Sequence, residues 1–557
     1  MRDKKSKNQS VLGEIMSRSR RFKTPLKMDY ILLYTFLYKY CSDTVKDYLA
    51  LELRDKELTI DEAYRDSSVY AELNFDSLKL NGFFLKRSEA FIEEVVNNNY
   101  QKPGFLPDFL KVFPENIIFS SEYHNLDYFN DLFRTIDDEI DTFEFNSEQS
   151  EYIGEIIYMI SKLDVFEMDM EFADVFNIVS QSRLMHVDSN PEYVMQILSQ
   201  LVLSDRKVIG SAYDPFIKDG ASLMKIHDNI GYDLKYCYGK DKNRLNYLYT
   251  MVKFFINNIS FKDLFLKQED GLNSIDIDGA SFDVIVSRIP IAIKNYYSSN
   301  INQNFEISKR NKRSEIESIL LENLGMDGNS FKKDNELNKA LENLVEKINL
   351  ENDFNANFKG QYESLIDNEF LFLINLVDSL KDDGIMAISI SENFLFKPSL
   401  EILRKYLTLE KNYIDAIIRI PTEIVRSRPE VVIVFKKNRN IDDVLFIDMS
   451  SDYGTQTSRL VYPGLFRKNL VLDSKTLDKM SDVFINKMTI PKFSNVVGRD
   501  ELIENNFNLS VSRYVDTFEG EFISLKDLVK EKQDIDSNIN DLNLKIGKMM
   551  DELNIRF

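Results

Sequence analysis

At 557 residues the chain is longer than one hydrophobic core organises, which leads to an expectation of about two to four domains. Its apolar fraction of 43% is ordinary for a globular protein and argues against a disordered chain, while a net charge of −21 argues against wrapping nucleic acid with the whole surface. Cys41 and Cys237 support neither a disulfide framework nor zinc spacing, and His124, His186 and His227 share no close spacing, so no metal site is expected.

The N-terminus has no apolar signal core, and no run reaches the roughly 18 apolar residues of a membrane span, which leads to an expectation of a cytoplasmic protein. Residues 2–27 hold nine basic residues against Asp3 and Glu14, a solvated tail or a phosphate-contacting arm. The first third then reads as helical. Apolar residues recur at three and four in "YILLYTFLYKYCSD" and again in "SEAFIEEVVNNNY", "DLFRTIDDEI" and "YIGEIIYMISKL".

From about Phe176 strands alternate with helices. The helix "NPEYVMQILSQLV" leads to the strand "KVIGSAYDP", a turn at Gly220, the helix "ASLMKIHDNI" and the strand "LKYCYGKD". "NRLNYLYTMVKFFINN", "FDVIVS", "FLFLINLVDSL", "GIMAISIS", "SLEILRKYLT", "IDAIIRI" and "VVIVFKK" continue the alternation. The pattern predicts an α/β domain on a parallel sheet, with Asp214, Gly239 and Ser287 along one edge. A polar insertion at 297–362 interrupts it. Near the end, Ile535, Ile539, Leu542, Ile546, Met549 and Leu553 make an a/d seam, either a helix packed on its own domain or a coiled coil with a partner chain. The expected domains are 1–175, helical with a basic arm; 176–490, α/β; and 491–557, a tail and partner-binding helix.

From about Tyr30 onward this order of segments resembles the modification (M) subunit of type I restriction-modification systems, adenine-N6 DNA methyltransferases that use S-adenosylmethionine. "NNFNLSVSRYVDTFEGEFISLKDL", from Asn505, is the most specific match. The resemblance implies a Rossmann-like methyltransferase sheet domain behind an N-terminal helical domain, with a C-terminal coiled-coil helix that joins a specificity subunit. It implies DNA as a partner, and a second M-like subunit. It also implies cofactor-binding roles for Asp214, Pro215 and Gly220 in "YDPFIKDGASL", for Asp241 after "YGK", and for Asp270 in "QEDGL". The catalytic loop falls on Arg288, Ile289, Pro290 and Ile291.

Two departures stand out. The family's glycine-rich turn reads Asp-Pro-x-Cys-Gly-Ser-Gly; here Lys218 replaces the first glycine and only Gly220 remains. The family's catalytic loop reads Asn-Pro-Pro-aromatic, where the Asn oxygen and a proline carbonyl accept from the adenine amine and the ring stacks on the flipped base. Arg288 has donors and no acceptor, and Ile291 has no π face. Three readings stay open: a pseudo-methyltransferase with a scaffolding or DNA-clamping role, an active adenine-N6 methyltransferase with a divergent loop, and a regulatory module for another small ligand.

Overall fold

In the computed structural model of the chain, the described residues are 25–163, 190–289 and 372–517, less short gaps, with a few isolated positions and parts of 529–545. Most of the basic arm, Pro290, Ile291, the insertion at 297–362, and Ile546, Met549 and Leu553 lie outside them.

The centre is a nine-stranded sheet. Its strands are β3 (Ser211–Asp214), β4 (Tyr236–Lys240), β5 (Leu264–Lys267), β6 (Phe282–Arg288), β7 (Leu380–Ser391), β8 (Ile414–Arg419), β9 (Glu430–Lys436), β10 (Val444–Asp448) and β13 (Ser494–Val497), in the order β13-β10-β8-β9-β7-β6-β3-β4-β5. Two short antiparallel pairs stand apart: β1 (Phe83–Leu85) with β2 (Ile117–Phe119), and β11 (Gly454–Arg459) with β12 (Phe466–Val471).

The strands are apolar on both faces, as a sheet covered by helices on both sides requires. Val284 and Val286 face one core, and Ile285 and Ile289 face the other. The first core takes the helices Glu192–Asp205, Ala221–Ile230 and Arg244–Ile256 and runs without a break into the N-terminal helices. The second takes residues 372–377, the helical segment 401–410 and the tail from Leu502 to Val515.

The structure corrects the sequence reading at three places. β9 runs antiparallel to β7 and β8, and β13 antiparallel to β10, so the sheet is mixed. The connection 420–429 is too short for a helical crossover, and an all-apolar strand reads the same in either direction. "SEAFIEEVVNNNY" is not one helix but a 3₁₀ turn, Ser88–Ala90, and a short helix, Ile92–Val96. β6 extends one residue past Ser287, so Arg288 is a strand residue paired with Ser389.

The tail signature has a local reason. Asn506 and Phe507 take positive φ, which turns the chain so that the Leu509 amide donates to the Leu395 carbonyl. Arg404, fully buried, donates to the carbonyls of Phe507, Phe394 and Lys397 at 2.7–3.0 Å. Tyr514 stacks on Phe446 of β10 at 4.2 Å. Between about 529 and 545 the described residues are helical, and Ile535, Ile539 and Leu542 are each about half exposed.

Candidate functional site

The strand order reverses between β3 and β6, and a doubly wound sheet opens a ligand crevice at the carboxyl ends of its strands there. The residues that reach this point come from the turn after β3, the ends of β4 and β6, the start of β9 and the segment before the helix Glu192–Asp205.

Asp214 ends β3 and is fully buried. Its carboxylate accepts from the Phe216 amide at 2.9 Å, the Ser287 hydroxyl at 2.7 Å and the Ser222 hydroxyl. Burial pushes its pKa up, and these donors and Lys218 pull against that. The turn passes through Pro215 and Phe216 and ends at Gly220, whose φ of 71° and tight quarters require glycine. A Cβ there would lie 2.6 Å from Thr250 Cγ2.

Lys218 sits in this turn with φ of 49°, the left-handed conformation that glycine takes at least cost. All of its polar groups are engaged. The amide donates to Asp241 Oδ2 at 2.9 Å and the carbonyl accepts from Thr250 Oγ1 at 2.8 Å. The ammonium donates to Asn190 Oδ1 at 3.2 Å and to the Arg288 carbonyl at 3.0 Å. Burial first, and the Arg288 charge second, push its pKa down to about 8.

Asp241 follows β4 and is buried. Beyond the Lys218 amide, it accepts from the Asn243 amide at 2.7 Å and from Asn246 Nδ2 at 3.2 Å. Asn243 in turn caps the helix Arg244–Ile256. Asp270 lies in the loop after β5, 3.8 Å from Lys242 Nζ. Next to it, Gly271 packs so closely on the turn after β3 that a Cβ would fall 2.0 Å from the Pro215 carbonyl oxygen. Gly239 is similarly tight against Ile217, at 2.4 Å.

Arg288 extends across β7. Its Nε donates to Glu430 Oε2 at 2.9 Å and its Nη2 to Oε1 at 2.5 Å, a bidentate pair with the first residue of β9. Ser389, on β7 between them, donates to the same carboxylate at 2.7 Å. Ile289 is buried in the second core, with its amide on the Ser389 carbonyl at 2.9 Å.

The structure therefore gathers Asp214, Pro215, Gly220, Asp241 and Arg288 at one edge, with Asp270 at its rim. The sequence reading placed Ser287 along this edge but missed Asn190, Glu430 and Ser389 as members of the cluster. Asn190-Pro191, directly ahead of a helix, and Glu430, a charge opening an apolar strand, are the signals that could have found two of them. Among the described residues no His, Cys, Asp and Glu cluster could hold a metal ion, and no helix is long and apolar enough to cross a membrane.

A mixed sheet whose crevice opens beside a Gly-ended turn is compatible with the fold of S-adenosylmethionine-dependent methyltransferases, and a solved methyltransferase subunit shares that fold with the chain. Residues 338–521 match the N-6 DNA Methylase family. The methylase subunit of the type I restriction enzyme MpnII of Mycoplasma pneumoniae is 21% identical over 95% of this chain and 92% of its own length. That of MjaVII from Methanocaldococcus jannaschii is 20% identical over 73% of this chain and 63% of its own. The type I methyltransferase subunit of Streptococcus thermophilus superposes with a TM-score of 0.63 at 17% identity, over 92% of this chain and all of that one. The chain is thus similar in sequence to type I methylase subunits over most of its length, and it shares the fold of the Streptococcus thermophilus subunit.

The cofactor that such a fold implies meets a crevice whose groups are already committed. Both Asp241 oxygens hold protein donors, the loops after β3 and β5 touch, and an ammonium occupies the gap between the turn and β6. In this arrangement the residues do not fit an S-adenosyl ligand.

Proposed function

We propose that this chain is a pseudo-methyltransferase: an M-type subunit that scaffolds a type I restriction-modification or related DNA-targeting complex in the cytoplasm and clamps DNA without methylating it. The observation that carries this reading is the Arg288–Glu430 pair. Adenine N6 methylation needs an acceptor for the amine proton where the family has asparagine. Arg288 offers donors only, and its guanidinium is already spent on Glu430. The committed Asp241 carboxylate supports the same reading from the cofactor side.

On this reading the half-exposed Ile535, Ile539 and Leu542 belong to a seam that pairs with a specificity-like subunit, and a second M-like subunit completes the assembly. The acidic surface suits a subunit whose partners supply much of the DNA contact.

The second reading, an active adenine-N6 methyltransferase with a divergent loop, is favoured by Asp214 and Asp241, which keep their stations at the crevice. Transfer of labelled methyl groups from S-adenosylmethionine to DNA by the purified complex separates the two. The expected result is no incorporation above background. Incorporation into adenine N6 that is lost on mutating Asp214 would establish the active enzyme.

A further inference from the structure

The crevice at the β3–β6 switch point is filled from within. Lys218 reaches it from a turn whose backbone still takes the left-handed φ of 49° that a glycine would adopt freely. A lysine in that conformation is strained relative to glycine, and its side chain is placed inside the crevice. The ammonium ties the segment before the helix Glu192–Asp205, through Asn190, to β6, through the Arg288 carbonyl, while the turn's backbone at Lys218 is held by Asp241 and Thr250 as a glycine's would be. Charge has been rebalanced to match. The two cations, Lys218 and Arg288, face the carboxyls of Asp214 and Glu430, and Asp219 adds a further carboxylate nearby. One donor remains unused: Asn190 Nδ2 is buried, with no hydrogen-bond partner. Such an orphan is expected where the substitute is less complete than a ligand with several acceptors.

We propose that Lys218 is a built-in cationic occupant of the cofactor crevice, which takes the place of a sulfonium ligand and excludes S-adenosylmethionine by both volume and charge. This deepens the pseudo-methyltransferase reading and rests on it. The mechanism has a specific consequence for ligand charge. S-adenosylmethionine carries a sulfonium that Lys218 and Arg288 repel, whereas S-adenosylhomocysteine carries a neutral thioether. Removing the ammonium relieves the volume problem for both ligands and the charge problem for one.

The test is calorimetric binding of both ligands to the full-length protein, as wild type and as Lys218→Gly, with thermal melting without ligand as the control for folding. Glycine keeps the left-handed turn and empties the crevice. The expected result is no measurable binding by the wild type, and a gain of at least about tenfold for S-adenosylmethionine in Lys218→Gly, larger than the gain for S-adenosylhomocysteine. A folded Lys218→Gly protein with no gain, or with equal gains for the two ligands, overturns the proposal and leaves the pseudo-methyltransferase reading standing. Micromolar binding of S-adenosylmethionine by the wild type overturns both. Should Lys218→Gly not fold, Lys218→Asn carries the same comparison, because asparagine tolerates the left-handed turn and is too short to bridge the crevice. Loss of the fold in both variants makes Lys218 a stability residue alone and overturns the proposal.

Discussion

Glu430 accepts from two donors, the Arg288 guanidinium and the Ser389 hydroxyl. Its side chain is 6% exposed and that of Arg288 is 19%. Glu430→Gln would remove the Glu430 counter-charge from a mostly buried guanidinium. Urea denaturation is expected to register a loss of about 2–3 kcal/mol, somewhat below the cost of breaking a fully buried pair. Arg288→Met combined with Glu430→Leu removes both charges and is expected to lose less than the single change. Lys218 makes a pH-dependent contribution of the opposite sense to an ordinary ion pair. Its pKa falls from 10.5 to about 8 in the fold, so the folded state gives up its proton first. Between those values the unfolded chain binds more protons, and stability rises with pH. Melting wild type and Lys218→Met from pH 7 to 10.5 is therefore expected to move the difference in favour of the wild type above about pH 8. The sequence made Arg288 conspicuous, because an arginine is an odd tool where the resemblance implies an acceptor. It could not point to Glu430, which lies 142 residues away and meets Arg288 only because β9 lies beside β7.

Among the elements, the strands of the α/β domain were legible because their apolar runs are short, β-branched and bounded by Gly, Pro and Asp. The direction of β9 was not legible, since nothing within VVIVF distinguishes one pairing direction from the other. The C-terminal element divides at about residue 517. Tyr514 and Val515 are buried against the sheet, whereas Ile535, Ile539 and Leu542 are exposed. A chain ended after Gly520 is expected to keep the melting temperature of the sheet domain and to lose co-purification with the proposed specificity-like partner. Ile539→Asp in the full chain is expected to do the same, because a charge at one seam position is enough to oppose a coiled coil. Retained co-purification in both variants would remove the seam from the partner interface.

For the molecule as a whole, the N-terminal helices and the sheet share one core. The joint is the helix Arg244–Ile256, whose Phe255 ring meets Phe129 at 4.9 Å, Phe83 at 5.4 Å and Tyr40 at 5.7 Å. Arg244, at its other end, donates to Thr135 and lies 3.6 Å from Asp131. Phe255→Ala is expected to cost about 3–5 kcal/mol. Because the core is continuous, calorimetry is expected to record one transition for these two parts in both proteins, moved to lower temperature in the variant. Two separated transitions in the wild type would mean that the helical part is an independent unit.

The sequence by itself determined the alternation of strands and helices, the resemblance to methylase subunits, and the residue types at Lys218 and Arg288 that depart from the motifs it resembles. These are local properties, carried by periodicity and by motifs a few residues long. Only the tertiary structure decided what the misfit residues do. It set Lys218 between Asn190 and Arg288, and Arg288 on Glu430, pairings that span 28, 70 and 142 positions. Contacts between groups so far apart depend on the strand order, and strand order is fixed by how the two cores pack rather than by any short stretch of chain.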